Sequence, residues 1–270
     1  MKSRIRDLLA NPLSGLAPWI VMAVMSGIVR FELAVGLSLL SALVIVAANM
    51  VCGGSFKLLE LSDVVFFLGL AAVGLFASPA VLDWLRTWSG ELSNIALVVI
   101  AVGSMLIRQP FTLGYAKEST PERFWSSPAF LRTNYVITGA WALAFLVAAI
   151  SGFIGDAVLD NSNNLWTGWI IQTAAMLAAV QFTLWYPKVV RARGRAAAGI
   201  DGEPEPPVSE LFAGLIGYLP LVGIVCLVFD AAPWWAGVAL IVAGPLLGGQ
   251  LAKDKRAAEH PVADEPSATG

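Results

Sequence analysis

The sequence contains few side chains that could carry nucleophilic, acid–base or metal chemistry. His260 is the only histidine, so a histidine-based metal site, catalytic triad or proton relay is excluded. Cys52 and Cys226 lie far apart and outside any CxxC motif, which predicts two small apolar packing residues rather than a disulfide. The sequence therefore predicts no catalytic residue, no metal site and no cofactor, and we expect the chain not to be an enzyme.

The acidic residues are the other candidates for chemistry, because an ionisable group deep in a membrane span usually marks an ion pathway. Five of them flank the apolar runs described below: Asp63, Glu91, Asp156, Glu210 and Asp230. Each lies close enough to the end of a run that we expect it to reach water. The positions of these residues therefore argue against an ion-coupled transporter.

Long apolar runs are the elements that hold these residues. The 270-residue chain is 57% hydrophobic and 13% charged, with a mean hydropathy of +0.74. A bilayer core about 30 Å thick requires roughly 20 apolar helical residues, and runs without polar alternation indicate helices rather than barrel strands. The sequence thus predicts an all-α, polytopic transmembrane helical bundle of about eight spans. They cover approximately 13–29, 33–53, 61–78, 92–107, 133–155, 165–186, 211–229 and 233–252.

Basic residues are distributed unevenly between the predicted loops. With the N-terminus inside, fifteen of the seventeen Lys and Arg residues lie in cytoplasmic segments, and only Arg30 and Arg86 lie outside. Cytoplasmic loops carry such an excess, which predicts cytoplasmic termini and a multi-pass protein of the cell (inner) membrane. The net charge of −2 gives no indication of nucleic acid binding.

The first run also fits a signal peptide, since Lys2, Arg4 and Arg6 precede it. No A-x-A-like cleavage site follows it, and a second apolar run does. These features favour a short hairpin of two helices that turns at Arg30 to Glu32.

Composition divides the chain into four parts. Residues 1–190 form a predicted six-span membrane domain, and 191–208 form a basic, Pro- and Gly-containing cytoplasmic linker. A two-helix membrane hairpin is predicted at 209–252 and a disordered cytoplasmic tail at 253–270. Residues 80–90, AVLDWLRTWSG, fit two interpretations equally: a short amphipathic helix on the outer surface, or a loop with two anchoring tryptophans.

The longest polar interruption, residues 108–134, is a predicted cytoplasmic loop with four basic and five large aromatic residues. It is predicted to bind anionic lipid headgroups, with Phe111, Tyr115, Phe124 and Trp125 dipping into the interface. The candidate interface residues are Arg108, Pro110, Tyr115, Lys117, Arg123, Trp125, Arg132 and Asn134.

Forked hydrogen bonds from Arg108 and Arg132 to Glu118, Glu122 or a lipid phosphate would fold this loop back on the bundle. The Asn134 amide would reach a neighbouring span or loop backbone. The alternative is a topological anchor that needs only positive charge.

The order of elements over residues 15–156 resembles the bacterial intracellular septation protein A family of inner-membrane proteins. The motifs are Arg108-Gln109-Pro110, Pro121 to Trp125, Arg132-Thr133-Asn134, and Trp141-Ala142 with Phe145. The spacing from Asn134 to Trp141 is longer than in the family, Gln109 precedes Pro110 where the family has a glycine-lysine pair, and the last two spans have no counterpart there. The resemblance implies a role in cell-envelope maintenance or division through contacts with other membrane proteins.

Three functions follow from these features. A non-enzymatic scaffold of the cell envelope is expected first, because the spans lack buried charge, metal ligands and a nucleophile. A passive transporter or channel for a small solute is the alternative, and a lipid-acting membrane enzyme is the second alternative. The expected partners are the lipid bilayer, anionic lipid headgroups and other membrane proteins, with no nucleic acid.

Overall fold

The computed structural model describes residue 9 and residues 11–26, 28–161, 164–202 and 204–259, with side chains up to residue 253. This part of the chain is helical and contains no strand. The helices are α1 Pro12–Gly15, α2 Ala17–Met25, α3 Phe31–Val51, α4 Leu58–Phe76, α5 Pro79–Leu106, α6 Thr112–Ser119, α7 Pro128–Phe153, α8 Ile171–Ala197, α9 Ala213–Val228 and α10 Trp234–Glu259. Short 3-10 turns lie at Glu122–Phe124 and Val208–Phe212, and π turns at Ile154–Val158 and Trp166–Ile170.

Seven helical segments of the described chain are long and apolar enough to cross a membrane. The predicted helical membrane architecture is therefore confirmed, and the chain is a multi-pass membrane protein. The segments are Phe31–Val51, Leu58–Phe76, Pro79–Leu106, Pro128–Val158, Trp166–Ala197, Val208–Val228 and Trp234–Lys253.

The first predicted span is not among these seven. Asn11 caps α1 by accepting a hydrogen bond from the Leu13 amide at 3.0 Å, and Pro12 and Pro18 stand at the starts of α1 and α2. The helix is therefore interrupted at Leu16. At about 1.5 Å per residue, the nine residues of α2 are too short for a bilayer core of about 30 Å.

Residues 80–90 are helical, so the loop interpretation is wrong, but they do not form the separate short surface helix of the other interpretation. They form the first turns of α5 and continue into the apolar part of that helix. The Trp84 and Trp88 rings stack with centroids 6.4 Å apart, and Arg86 Nη1 lies 2.7 Å from Asp83 Oδ1.

The chain forms two compact units, unit 1 at Met1–Met176 and unit 2 at Leu177–Gly270. The boundary lies inside α8 rather than in the segment 191–208, where the sequence predicted a linker. The helix α8 continues to Ala197, so it includes the basic residues at the start of that segment. Likewise α10 continues to Glu259, into the predicted disordered tail, whose residues 260–270 lie outside the described chain.

Small residues set the packing of unit 2. A Cβ on Gly223 would come within 2.5 Å of the Gly237 carbonyl oxygen, and a Cβ on Gly237 within 3.1 Å of the Gly223 oxygen. The backbones of α9 and α10 thus approach closely, as membrane helices do where small residues meet. In unit 1 the N-terminal helices, α3, α4 and α6 surround the polar side chains described next.

Candidate functional site

A fully buried lysine lies in unit 1, at the start of α4. Lys57 is the N-cap residue of α4, in extended backbone conformation, and its side chain is 0% exposed. Its Nζ lies 3.3 Å from Glu60 Oε1 and 3.1 Å from Glu118 Oε1. One ammonium group therefore joins a carboxylate on α4 to a carboxylate on α6.

The Glu60 carboxylate receives further hydrogen bonds from α3. Asn49 Nδ2 lies 2.7 Å from each oxygen of Glu60. The amide is held in turn by the loop between α3 and α4, since a Cβ on Gly54 would come within 2.6 Å of Asn49 Oδ1. The bonds from Asn49 to Glu60 join α3 to α4.

A third carboxylate, that of Asp63, lies one turn further along α4. It is 1% exposed and accepts a 2.7 Å hydrogen bond from Trp19 Nε1 on α2. The Trp19 ring packs on Phe66 and Phe67 with centroid separations of 4.7 and 5.0 Å. The short N-terminal helix α2 thus covers the acidic face of α4.

Tyr115 of α6 completes the cluster. Lys57 Nζ lies 5.0 Å from the centroid of the Tyr115 ring, within cation–π distance. The hydroxyl is buried against the Cα of Gly15 and has no hydrogen-bond partner within the described chain. Burial, with the charges of Glu60, Asp63 and Glu118, raises the pKa of Tyr115 well above its usual range. The phenol therefore stays protonated at neutral pH.

These side chains are called the Lys57 network: Trp19, Asn49, Lys57, Glu60, Asp63, Tyr115 and Glu118. The network contains one ammonium group and three carboxyl groups. Glu60 and Glu118 contact Lys57 directly, and the charges of Glu60, Asp63 and Glu118 all act on the Tyr115 hydroxyl. Since an uncompensated charge is costly away from water, the excess of carboxyl groups can be balanced by bound protons or by a cation.

An open cleft of about 470 Å³ adjoins the network. Its walls come from the loop between α3 and α4 and from the segment between α5 and α7, and we call it the Glu118 cleft. It is lined by Gly53, Gly54, Ser55, Phe56, Leu58, Gln109, Pro110, Phe111, Leu113, Gly114, Lys117, Glu118, Glu122 and Trp125. Glu118 belongs to both structures, so it links the cleft to the buried lysine.

The predicted interface residues separate into two groups. Pro110, Tyr115 and Asn134 are buried inside unit 1, while Arg108, Arg123 and Arg132 are exposed and Lys117 and Trp125 are half-buried. The prediction that Phe111 and Tyr115 dip into the lipid interface is wrong, because both rings are 1% exposed and pack within the protein.

The predicted forks from Arg108 and Arg132 to Glu118 or Glu122 are also absent from the described chain, where neither arginine forms an ion pair. Glu118 is bound by Lys57 instead. A lysine in the extended backbone just before α4 reaches Glu118 from inside the bundle, whereas both arginines point to the exposed surface.

Asn134 is bonded differently from the prediction. Its Nδ2 donates to the Phe130 carbonyl of its own helix at 2.9 Å, and its Oδ1 lies 3.2 Å from the Thr112 hydroxyl. The Thr112 hydroxyl also lies 2.9 Å from Thr138 Oγ1. These contacts attach the start of α6 to α7 through side chains rather than through the loop backbone.

The expectation that Asp63 and Glu91 reach water is wrong. Asp63 is covered by Trp19, and Glu91 is 7% exposed on α5, with a carboxyl oxygen against the Cα of Gly152. Glu91 shares a hydrogen bond with the half-buried Asp156. Asp63 lies in the second turn of α4 and Glu91 near the middle of α5, and neighbouring helices cover both carboxyls.

Two glutamines of α8 make separate contacts. Gln172 accepts a 3.2 Å hydrogen bond from Asn94 Nδ2 of α5 and donates to the Thr167 carbonyl at 3.0 Å. Gln181 packs against Gly214 in unit 2, where a Cβ would come within 2.5 Å of its Nε2.

The sequence contains one local signal for the network. Lys57, Glu60 and Asp63 recur every three residues, which places them on adjacent turns of one helix face. Predicting the third span to begin at 61 assigned Lys57 and Glu60 to a loop. The partners Trp19, Asn49 and Glu118 carry no such local signal.

Comparison with protein-family models, with curated proteins and with solved structures finds no match for this chain.

Proposed function

We propose that this membrane protein transports a small solute and that protons exchange at the Lys57 network during transport. The observation that carries the proposal is a set of three buried carboxyl groups, of which Glu60 and Glu118 share the single buried lysine and Asp63 has no basic partner, beside an open cleft. Ionisable residues inside membrane proteins are costly and commonly belong to ion or proton pathways. Because Asp63 and Glu91 are buried rather than exposed to water, their positions no longer argue against an ion-coupled transporter.

The arrangement gives each residue a separate role. Asp63 is bonded to a neutral donor, Trp19, and has no basic partner in the described chain. Protonating it would therefore break no ion pair. Glu60 and Glu118 hold Lys57, and Glu118 connects this pair to the cleft. Asp63 is the residue that we assign to proton exchange.

Uptake into liposomes containing the purified protein tests the proposal. Under an imposed pH gradient, a panel of radiolabelled amines, amino acids and carboxylic acids should include a solute that accumulates above the level in empty liposomes. Asp63→Asn should abolish this gradient-driven uptake. Asp83→Asn is the matched control, because the Asp83 side chain is 70% exposed. Failure of every solute to accumulate, or equal uptake by Asp63→Asn and the parent, would contradict the proposal.

In the proposed orientation the protein lies in the inner membrane with both termini in the cytoplasm. The concentration of Lys and Arg in the cytoplasmic segments favours this orientation. This orientation requires α1 and α2 to cross together as an eighth span. If they do not cross, Lys2, Arg4 and Arg6 move to the outer side and the asymmetry weakens.

Single cysteines in a Cys52→Ser, Cys226→Ala background distinguish the two topologies. An impermeant thiol reagent added outside should label a cysteine at Asn161 but not one at Ser3 or Gly194. Labelling at both Ser3 and Asn161, with Gly194 protected, would establish seven crossings instead of eight.

A cell-envelope scaffold, as the septation protein A resemblance implies, is the second candidate. The observation that favours it is a set of helical glycines with open space beside them, where a helix of another protein could approach closely. They are Gly36, Gly69, Gly103 and Gly139. Crosslinking in mild detergent that recovers the same membrane proteins repeatedly, without solute uptake in liposomes, would support the scaffold over the transporter.

The exposed basic residues of the loop remain a proposed contact with anionic lipid headgroups. Arg108, Arg123 and Arg132 are available for it, each contributing about 1 kcal/mol near an anionic surface. The lipid-acting enzyme gains no support, since it requires a basic cleft and the Glu118 cleft contains one lysine and two glutamates.

A further inference from the structure

We infer that the Glu118 cleft binds a small organic molecule through a primary ammonium group on that molecule. This inference rests on the proposed transport function and names its substrate class. It is carried by the charge of the cleft, by a buried carboxylate oxygen of the lining residue Glu118 that lacks a donor, and by the aromatic ring of Trp125 in its lining.

The charge of the cleft favours a cation over an anion. Its lining contains one basic residue, Lys117, and two acidic residues, Glu118 and Glu122. Glu122 is exposed and forms no ion pair within the described chain. A phosphate or carboxylate ligand would meet net negative charge there, whereas an ammonium group would be attracted.

Glu118 supplies the unused acceptor. Its side chain is 7% exposed, and its Oε1 lies 3.1 Å from Lys57 Nζ and 3.4 Å from the Ser55 amide. Its other oxygen, Oε2, is buried without a donor in the described chain. A buried carboxylate oxygen with no donor is unfavourable, and an ammonium group entering from the cleft would supply one.

The aromatic groups show how an ammonium group is held here. Lys57 Nζ lies 5.0 Å from the Tyr115 ring centroid, and Lys117 Nζ lies 5.2 Å from the centroid of the Trp125 ring, which lines the cleft. Carboxylates and aromatic faces together recognise ammonium groups. The Trp125 face is accessible to a ligand when the Lys117 side chain moves away, so Lys117 competes with the ligand for that face.

Saturation-transfer NMR with ethylammonium as the probe tests this inference on the full chain in perdeuterated detergent. We expect ethylammonium to bind saturably, and acetate at equal ionic strength to bind more weakly. Glu118→Gln should weaken it by roughly tenfold or more, the effect of losing a hydrogen bond to a charged group of about 1.5–3 kcal/mol. Asp83→Asn, at an exposed carboxylate outside the cleft, should bind as the parent does.

Two further variants keep the test decisive if Glu118→Gln fails to fold. Trp125→Leu should weaken binding by roughly fivefold, which corresponds to a cation–π contribution of about 1 kcal/mol. Lys117→Gln should strengthen it, because a competing charge is removed. The inference is overturned if ethylammonium shows no saturable binding, if acetate binds equally well, or if neither Trp125→Leu nor Lys117→Gln changes the affinity.

This result is independent of the transport assay. Ethylammonium binding without any solute uptake would remove the transport proposal and leave the cleft assignment intact. Solute uptake that depends on Asp63, without ethylammonium binding, would remove the cleft assignment and leave the transport proposal intact.

Discussion

The Lys57 network and the Arg193–Glu205 pair show how differently ion pairs behave in the two units. Arg193 makes a forked contact, with Nη2 2.6 Å and Nε 3.1 Å from Glu205 Oε1, yet its side chain is 69% exposed. Hydrogen bonding to Arg193 lowers the pKa of the Glu205 carboxyl. Lys57 has longer contacts but is 0% exposed. Water and salt screen the first pair and not the second.

This difference means that short distances alone do not identify the important ion pair. The exposed pair can lose a partner to water, because both ions are solvated when it breaks. Removing Lys57 would leave Glu60 and Glu118 buried and without their ammonium group. The buried network is therefore the region where substitutions should have the largest effects.

The largest expected effect is that of Lys57→Met. Breaking a buried ion pair by removing one partner typically costs about 3–5 kcal/mol. The control is Lys188→Met, since Lys188 is 56% exposed and 3.9 Å from Glu210, and an exposed pair contributes about 0–1 kcal/mol. Thermal unfolding in detergent should show a large loss for Lys57→Met and little change for Lys188→Met. Similar stabilities for the two variants would mean that Lys57 is not buried as described.

The contact between α1 and the network predicts the next largest effect. In Gly15→Ala the new Cβ would collide with the Tyr115 hydroxyl and come within 2.9 Å of Leu59 Cδ2. Overpacking of this kind costs about 1–3 kcal/mol. Gly36→Ala is the matched control, because nothing lies within 4 Å of a Cβ at that position. Tyr115→Phe should restore part of the stability of Gly15→Ala, and a lack of restoration would argue against the collision.

The sequence predicted the helices better than it predicted their contacts. Hydropathy identified the seven long spans because each depends only on its own composition, and prolines 79 and 128 stand where α5 and α7 begin. Mean hydropathy does not register the interruption at Leu16, so it did not reveal that the first predicted span is divided into the two short helices α1 and α2.

The contacts of the site could not be predicted from local sequence patterns, because the residues that meet there are far apart along the chain. Lys57 and Glu118 are separated by sixty-one positions, and Trp19 and Asp63 by forty-four. Periodicity shows which face of a helix is polar, but not which helix covers it. The burial of Asp63 depends on Trp19, whose position depends in turn on the break between α1 and α2.

Tyr115 predicts a smaller, pH-dependent effect. Its pKa is raised on folding by burial and by nearby carboxylates, so the folded state resists deprotonation more than the unfolded state does. The resulting contribution to stability is present below the unfolded value of about 10 and is lost as the pH rises above it. Unfolding measured from pH 9 upward should therefore show a steeper loss of stability in the parent than in Tyr115→Phe. Equal slopes would contradict the burial of the phenol.

The smallest expected effect on stability is that of replacing Arg108 or Arg132 with lysine. Both arginines are exposed and neither pairs with a carboxylate in the described chain, so Arg108→Lys and Arg132→Lys should leave thermal stability in detergent unchanged. A loss of binding to anionic liposomes in either variant, with stability unchanged, would show that the guanidinium binds lipid phosphate through a fork.

Amine acylation read out by mass spectrometry tests the buried network most directly. The folded protein in detergent is treated with a water-soluble acylating reagent, and the modification of each lysine is compared before and after unfolding. We expect Lys57 to react only after unfolding, while Lys188, which is 56% exposed, reacts in the folded protein. Modification of Lys57 in the folded protein at the rate of Lys188 would show that Lys57 is not buried.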